Sequence, residues 1–118
     1  NHLHIVQADF ANPDPDPDDP VIEERHVDQL ETWIDEASAE LDPLESFILP
    51  GGSDAGAALH HARSVCRRAE RRAVAFQAEA DGVNEQAVAY LNRLSDLLFT
   101  LARLVNEREG VGEAHPTY

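Results

Sequence analysis

A chain of 118 residues, 42% of them hydrophobic, is long enough for one domain with a modest core and too short for two. Twenty-three acidic residues against nine arginines and no lysine give a formal net charge of -14, which argues against sequence-independent nucleic-acid binding because that needs a basic face. No run of about 18 apolar residues marks a membrane span, no signal peptide is visible, and the lone Cys66 excludes an internal disulfide and favours a cytoplasmic place.

The missing lysine fits a salty cytoplasm and a high-GC genome about equally. The sequence holds no methionine and opens in mid-pattern on NHLHIVQ, which predicts a fragment of a longer protein. Asn1 to Phe10, with Leu3, Val6 and Phe10 as its apolar positions, reads as the tail of a helix. Asn12 to Pro20, NPDPDPDDP, is a solvated loop: its prolines remove donors and hold the chain extended, which strings the aspartates out instead of gathering them around one ion. From Glu24 to Leu41, Val27, Leu30, Trp33, Ile34, Ala37 and Leu41 recur at steps of three and four, an amphipathic helix with an acidic outer face. Ser46 to Ser53, SFILPGGS, is an irregular connection whose apolar Phe47, Ile48 and Leu49 are unusual in a surface loop. Ser53 caps the next helix, which runs to about Glu79 and ends at Asp81-Gly82. A last helix starts at or beside Asn84, reaches about Asn106, and leaves REGVGEAHPTY as a loose tail. No strand pattern competes, so residues 1–118 are predicted to form a single all-α domain, a helix bundle.

Five of the nine arginines fall between Arg63 and Arg72. On a wheel of about 100° per residue, Ala58, Ala62, Val65, Cys66, Ala69, Ala73 and Phe76 form the core face of that helix. His60, Arg63, Arg67, Glu70 and Arg71 share a second arc, and Arg68 and Arg72 lie on a third side. In the last helix Leu91, Leu94, Leu98, Leu101 and Val105 cover one face, with Asn92, Ser95, Asp96, Phe99, Arg103 and Asn106 opposite. Such a mixed stripe resembles the lining of a polar site or a subunit interface.

Clustered arginine suits planar, two-point binding of phosphate and favours a polyanionic ligand. A surface ladder of ion pairs, Arg63 to Arg67 and Arg67 to Glu70 to Arg71, is the alternative. The usual phosphate loops are absent, and the glycine-rich LPGGSD before a helix start is a weak anion signal. His60 and His61 are adjacent, hence badly placed to share a metal, and no metal ligand set is predicted. Cys66 reads as an inert small hydrophobe.

FILPGGSDAGAALHHARSVCRRAERR followed by YLNRLSDLLFTLARLVN strongly resembles the propanediol-utilisation-type ATP:cob(I)alamin adenosyltransferases, and ADFANPD and VDQLETWIDE resemble further segments of that family. The resemblance implies an antiparallel bundle of about five helices, ferritin-like in architecture, that assembles as a homotrimer with sites between neighbours. It implies transfer of the 5′-deoxyadenosyl group of ATP to cob(I)alamin, with magnesium accompanying the ATP, and an adenosylcobalamin-dependent mutase and a reductase as partners. Arg67, Arg68, Glu70 and Arg71 match the ATP-binding segment and Asn92 a second ATP contact. Arg63 matches an arginine that pairs with an acid of the neighbouring subunit. Phe47 matches the aromatic residue under the corrin and Phe99 an apolar residue bordering it, which makes Phe47 and Arg67 the catalytic candidates. Phe47 as a plug for the end of the bundle is the structural alternative. The family's TGD-type opening segment and first helix are not matched, which predicts that the N-terminal ATP loop lies outside this sequence. A non-catalytic corrinoid- or nucleotide-binding bundle is the alternative function.

Overall fold

The computed structural model describes residues 1–44 and 46–117. Its described residues form four helices and no strand: α1 (His2–Ala11), α2 (Glu24–Ser38), α3 (Asp54–Glu79) and α4 (Glu85–Arg108). None is long and apolar enough to cross a membrane.

The helix starts follow side-chain capping. Ser53 Oγ accepts from Gly56 N at 3.0 Å, and Asn84 Oδ1 accepts from Gln86 N at 2.9 Å. At the start of α2 an imidazole takes part: His26 Nδ1 accepts from Glu23 N at 2.9 Å. α2 stops at Ser38, three residues before the sequence pattern ends, and single turns continue to Leu41. Pro43 forces the residue before it towards extended conformations, and the helix unwinds ahead of it. The turn into α4 holds Gly82 at φ +77, a left-handed conformation that glycine adopts without cost.

α4 packs against all three other helices, most extensively against α3. It is therefore buried on more than one side: Leu97, Ala102 and Leu104 join Leu91 in the interior, whereas Leu94, Leu98 and Leu101 are only half-buried. Asp9 ties α1 to this spine. Its buried Oδ2 accepts from Ile22 N at 2.8 Å and from Asn84 Nδ2 at 3.0 Å, and the same Asn84 amide donates to Ile22 O at 2.9 Å.

Two expectations about the core are corrected. Trp33 is exposed. On α3, of the seven residues read as core, only Cys66 and Ala73 are buried. Val65, Ala69 and Phe76, with Leu3 and Phe10 of α1 and Leu94 and Leu98 of α4, line an open apolar groove of about 1010 Å³. Periodicity identifies which face is apolar; whether a neighbouring element covers it depends on the packing of the whole molecule. Cys66 itself is inert: its Sγ donates to Leu91 O at 3.3 Å, and burial, with Glu70 nearby, pushes the thiol up to about 11.

Burial, and then the charges of Arg25 and His2, hold His26 below its ordinary value of 6.5, against the opposing pull of Glu23 and Asp9. Burial and Arg63 act in the same direction on His60. Both imidazoles bind a proton less readily folded than unfolded, so the unfolded chain takes up more protons as pH falls through 6.5 and stability drops there. Above that range their contribution is flat. The urea midpoint is expected to decline between about pH 7.5 and about pH 5.5, before most carboxylates titrate; a level midpoint across that interval would contradict the burial of both rings.

Candidate functional site

α3 carries Arg67, Glu70 and Arg71 one helical turn apart on one face, where with Val74 they line a small recess of about 280 Å³. Glu70 does not pair with these arginines. Its Oε2 instead accepts from Asn92 Nδ2 of α4 at 2.8 Å. Asn92 is held in turn, because its Oδ1 accepts from Arg93 Nε at 3.0 Å and from a second Arg93 nitrogen at 2.7 Å. Arg93 also pairs with Asp96. The chain Asp96–Arg93–Asn92–Glu70 thus fixes one carboxylate beside two exposed guanidinium groups.

Among the described residues Arg67, Arg68, Arg71 and Arg72 enter no ion pair. The self-satisfied ladder is therefore not formed. In a chain of formal charge -14, Arg67 and Arg71 thus stand uncompensated on one face and Arg68 and Arg72 on another.

Arg63 lies between this cluster and Phe99. Its guanidinium carbon sits 4.7 Å from the centre of the Phe99 ring, and His60 meets the same ring edge-on at a centroid distance of 5.8 Å. Burial, followed by the like charge of Arg67, lowers the Arg63 pKa from its ordinary value, with Asp96 opposing. His60, read from the wheel as part of the polar stripe, is only 3% exposed, and its Nδ1 has no hydrogen-bond partner.

Arg68 stands apart from Arg67, Glu70 and Arg71. It lines the apolar groove together with Arg72. Phe47 stands apart too. It lies before the start of α3, and Arg67 is about 20 Å farther along that helix at 1.5 Å per residue. Phe47 is 82% exposed, so among the described residues it does not plug the end of the bundle. Two residues that the sequence reading did not assign prove important here. Arg93 orients Asn92, a role hinted at by its spacing of three from Asp96. Asn106, placed on the polar stripe without a role, is buried against the glycine turn before α3.

The sequence pattern of the family described as cobalamin adenosyltransferase matches residues 1–105. A corrinoid adenosyltransferase of Bacillus subtilis is 50% identical over 90 residues, covering 76% of this chain and 46% of that protein. One from Mycobacterium leprae is 46% identical over 113 residues, covering 90% of this chain and 59% of that protein. A variant PduO-type ATP:corrinoid adenosyltransferase from Lactobacillus reuteri, solved with cobalamin and ATP, superposes with a TM-score of 0.86 at 32% identity, over 99% of this chain and 65% of that one. The chain thus spans between about half and two thirds of the length of these relatives.

An exposed ring contributes little to stability. Phe47→Ala is expected to shift the unfolding free energy by no more than about 0.5 kcal/mol, against about 3–5 kcal/mol for deleting a buried phenyl ring. Denaturant unfolding measures the difference directly, and a loss in the upper range would mean the ring is packed in solution.

Proposed function

The chain belongs to the cobalamin adenosyltransferase family, and on that premise we propose that it transfers the 5′-deoxyadenosyl group of ATP to cob(I)alamin, giving adenosylcobalamin and triphosphate. The observation that carries this reading is the unpaired Arg67 and Arg71 beside a Glu70 that Asn92 holds in place.

The electron pair on Co(I) attacks C5′ of ATP. The C5′–O bond breaks, its pair leaves on the triphosphate, and the cobalt becomes an alkyl-bound Co(III). Charge accumulates on the leaving oxygens, so guanidinium groups fixed on a helix stabilise the transition state without reorganising. Arg67 and Arg71 fill that role, with Arg68 reaching the ligand from the groove side. Glu70 and Asn92 orient the nucleoside end, because a carboxylate and an amide locked to each other present directed acceptors and donors. Attack in line with the leaving oxygen requires both reactants to be held, which places much of the rate in positioning.

Phe47 presses on the lower face of the corrin and Phe99 borders it. Displacing cobalt's lower ligand eases the one-electron reduction of Co(II), since the resulting d⁸ ion favours four-coordination. A one-electron reductase supplies that electron, and an adenosylcobalamin-dependent mutase uses the product. Among the described residues no group of three or more His, Cys, Asp or Glu side chains is arranged to hold a metal. Magnesium accompanies the ATP as part of that substrate, as the family resemblance implies. Arg63, half-buried and stacked on Phe99, meets an acid of a neighbouring copy in a trimer.

The direct test is the spectral conversion of cob(I)alamin to adenosylcobalamin by the full-length protein with ATP; tight binding of both without conversion would identify a non-catalytic carrier instead. Arg67→Ala is expected to cost about 1.5–3 kcal/mol of transition-state stabilisation, visible as a fall in kcat/KM and in ATP affinity by calorimetry, with helical content unchanged. Normal turnover in that variant would remove Arg67 from the site. Arg63→Ala acts differently: sedimentation is expected to show a weakened trimer, and an unaltered one assigns Arg63 to ligand or solvent.

A further inference from the structure

We infer that Asn106 is a positioning residue, whose side-chain amide fixes the backbone of the loop that carries Phe47. Asn106 is buried near the end of α4. Its Oδ1 accepts from Ser53 N at 3.0 Å and from Ser53 Oγ at 2.9 Å, and its Nδ2 donates to Gly51 O at 2.9 Å. The two glycines around it are shaped by this contact. A Cβ on Gly52 would lie 2.4 Å from the Asn106 side chain, and one on Gly56 only 2.0 Å from it. Gly52 also sits at φ +104, where side chains are strained. The PGGSDAG run is therefore a socket for one amide.

The same residue reaches the loop by a second route. Asn106 O accepts from Val111 N at 2.8 Å, which starts the C-terminal segment back across the loop. There Leu49 N donates to Ala114 O at 2.7 Å, and His115 Nδ1 lies 2.9 Å from Phe47 O. The same nitrogen lies 3.0 Å from Ser46 Oγ, so one imidazole meets two neighbouring residues of the loop. Arg103, one turn before Asn106 on α4, closes the clasp: its Nε donates to Glu113 Oε1 at 2.5 Å and a terminal nitrogen to Asp42 O at 3.0 Å.

An exposed ring makes too few contacts to fix itself. The position of Phe47 must come from its backbone, and that backbone is held on one side by Asn106 and on the other by the segment Asn106 starts. A loose loop would present the same ring in many places, and binding would have to supply the cost of ordering it. The inference rests on the reading that Phe47 meets the corrin, and its test separates the two.

In the full-length protein, Asn106→Ala, Phe47→Ala and the double variant are compared in two assays, one started from Co(II) corrinoid with a one-electron donor and one from chemically prepared Co(I) corrinoid. Asn106→Ala is expected to accelerate hydrogen exchange at the Leu49 and Ser53 amides by about tenfold, the effect of losing about one buried hydrogen bond, while the interior of α4 stays protected. It is expected to lower the Co(II)-started rate more than the Co(I)-started rate, and to add nothing once Phe47 is gone. Asn106→Asp keeps the acceptor for Ser53, loses the donor to Gly51, and is expected to fall between. Effects of Asn106→Ala that add to those of Phe47→Ala, an unchanged ratio of the two rates, or loss of helical signal in both Asn106 variants would overturn the inference. Phe47→Ala with an unchanged rate ratio would instead sink the corrin reading alone, and loop exchange would still decide whether Asn106 fixes the loop.

Discussion

Three asparagine amides on and at the start of α4 locate the other segments of this molecule. Asn84 holds Asp9 of α1 and the carbonyl of Ile22, Asn92 holds Glu70 of α3, and Asn106 holds the turn that leads into α3. Apolar contacts alone leave helices free to slide by fractions of a turn, because the hydrophobic effect has no direction. An amide with a donor and an acceptor tolerates neither a shift nor a rotation without leaving a buried group unpaired, at about 1–3 kcal/mol. These three points tie α1, the segment before α2, and α3 with its entry turn to α4.

Much of this was legible in the sequence, for local reasons. Ser53 and Asn84 cap the helices they were expected to cap, since an N-cap depends on its own next three residues. The wheel grouped Arg67, Glu70 and Arg71 because helical geometry alone fixes their common face. What was missed depends on contacts distant along the chain. The Asn106 clamp spans more than fifty positions of sequence, and nothing in the local pattern of α4 separates it from a solvent-facing amide. His60 shares the arc of Arg63, yet the neighbouring helix brings Phe99 across it and buries it. The apolar face of α3 was read as core, and its groove stays open among the described residues.

The charge distribution gives the arginine face a particular electrostatic character. A surface with formal charge -14 repels a polyanion at long range, and the uncompensated guanidinium groups attract it at short range. Salt weakens the first effect more than the second, because interactions beyond about 10 Å are largely screened at 0.1 M ionic strength whereas a bidentate contact is not. Salt therefore weakens the long-range repulsion of so acidic a chain more than it weakens a close contact to clustered arginines. Arginine differs from lysine in that its planar fork matches phosphate by geometry as well as by charge.

The candidate residues are divided along the length of α3. At one end guanidinium groups stand on a rigid helix; at the other an exposed ring rides on a loop. A helix needs no further support to hold Arg67, because its backbone is already fixed by its own hydrogen bonds. A loop has no such lattice, and its precision has to be imported. The polar packing around Ser53 and the two glycines Gly52 and Gly56 supplies it: there one buried amide leaves no room even for a methyl group. The glycines give up side chains so that Asn106 can come close, and the closeness fixes a loop whose own exposed aromatic residue makes too few contacts to fix itself.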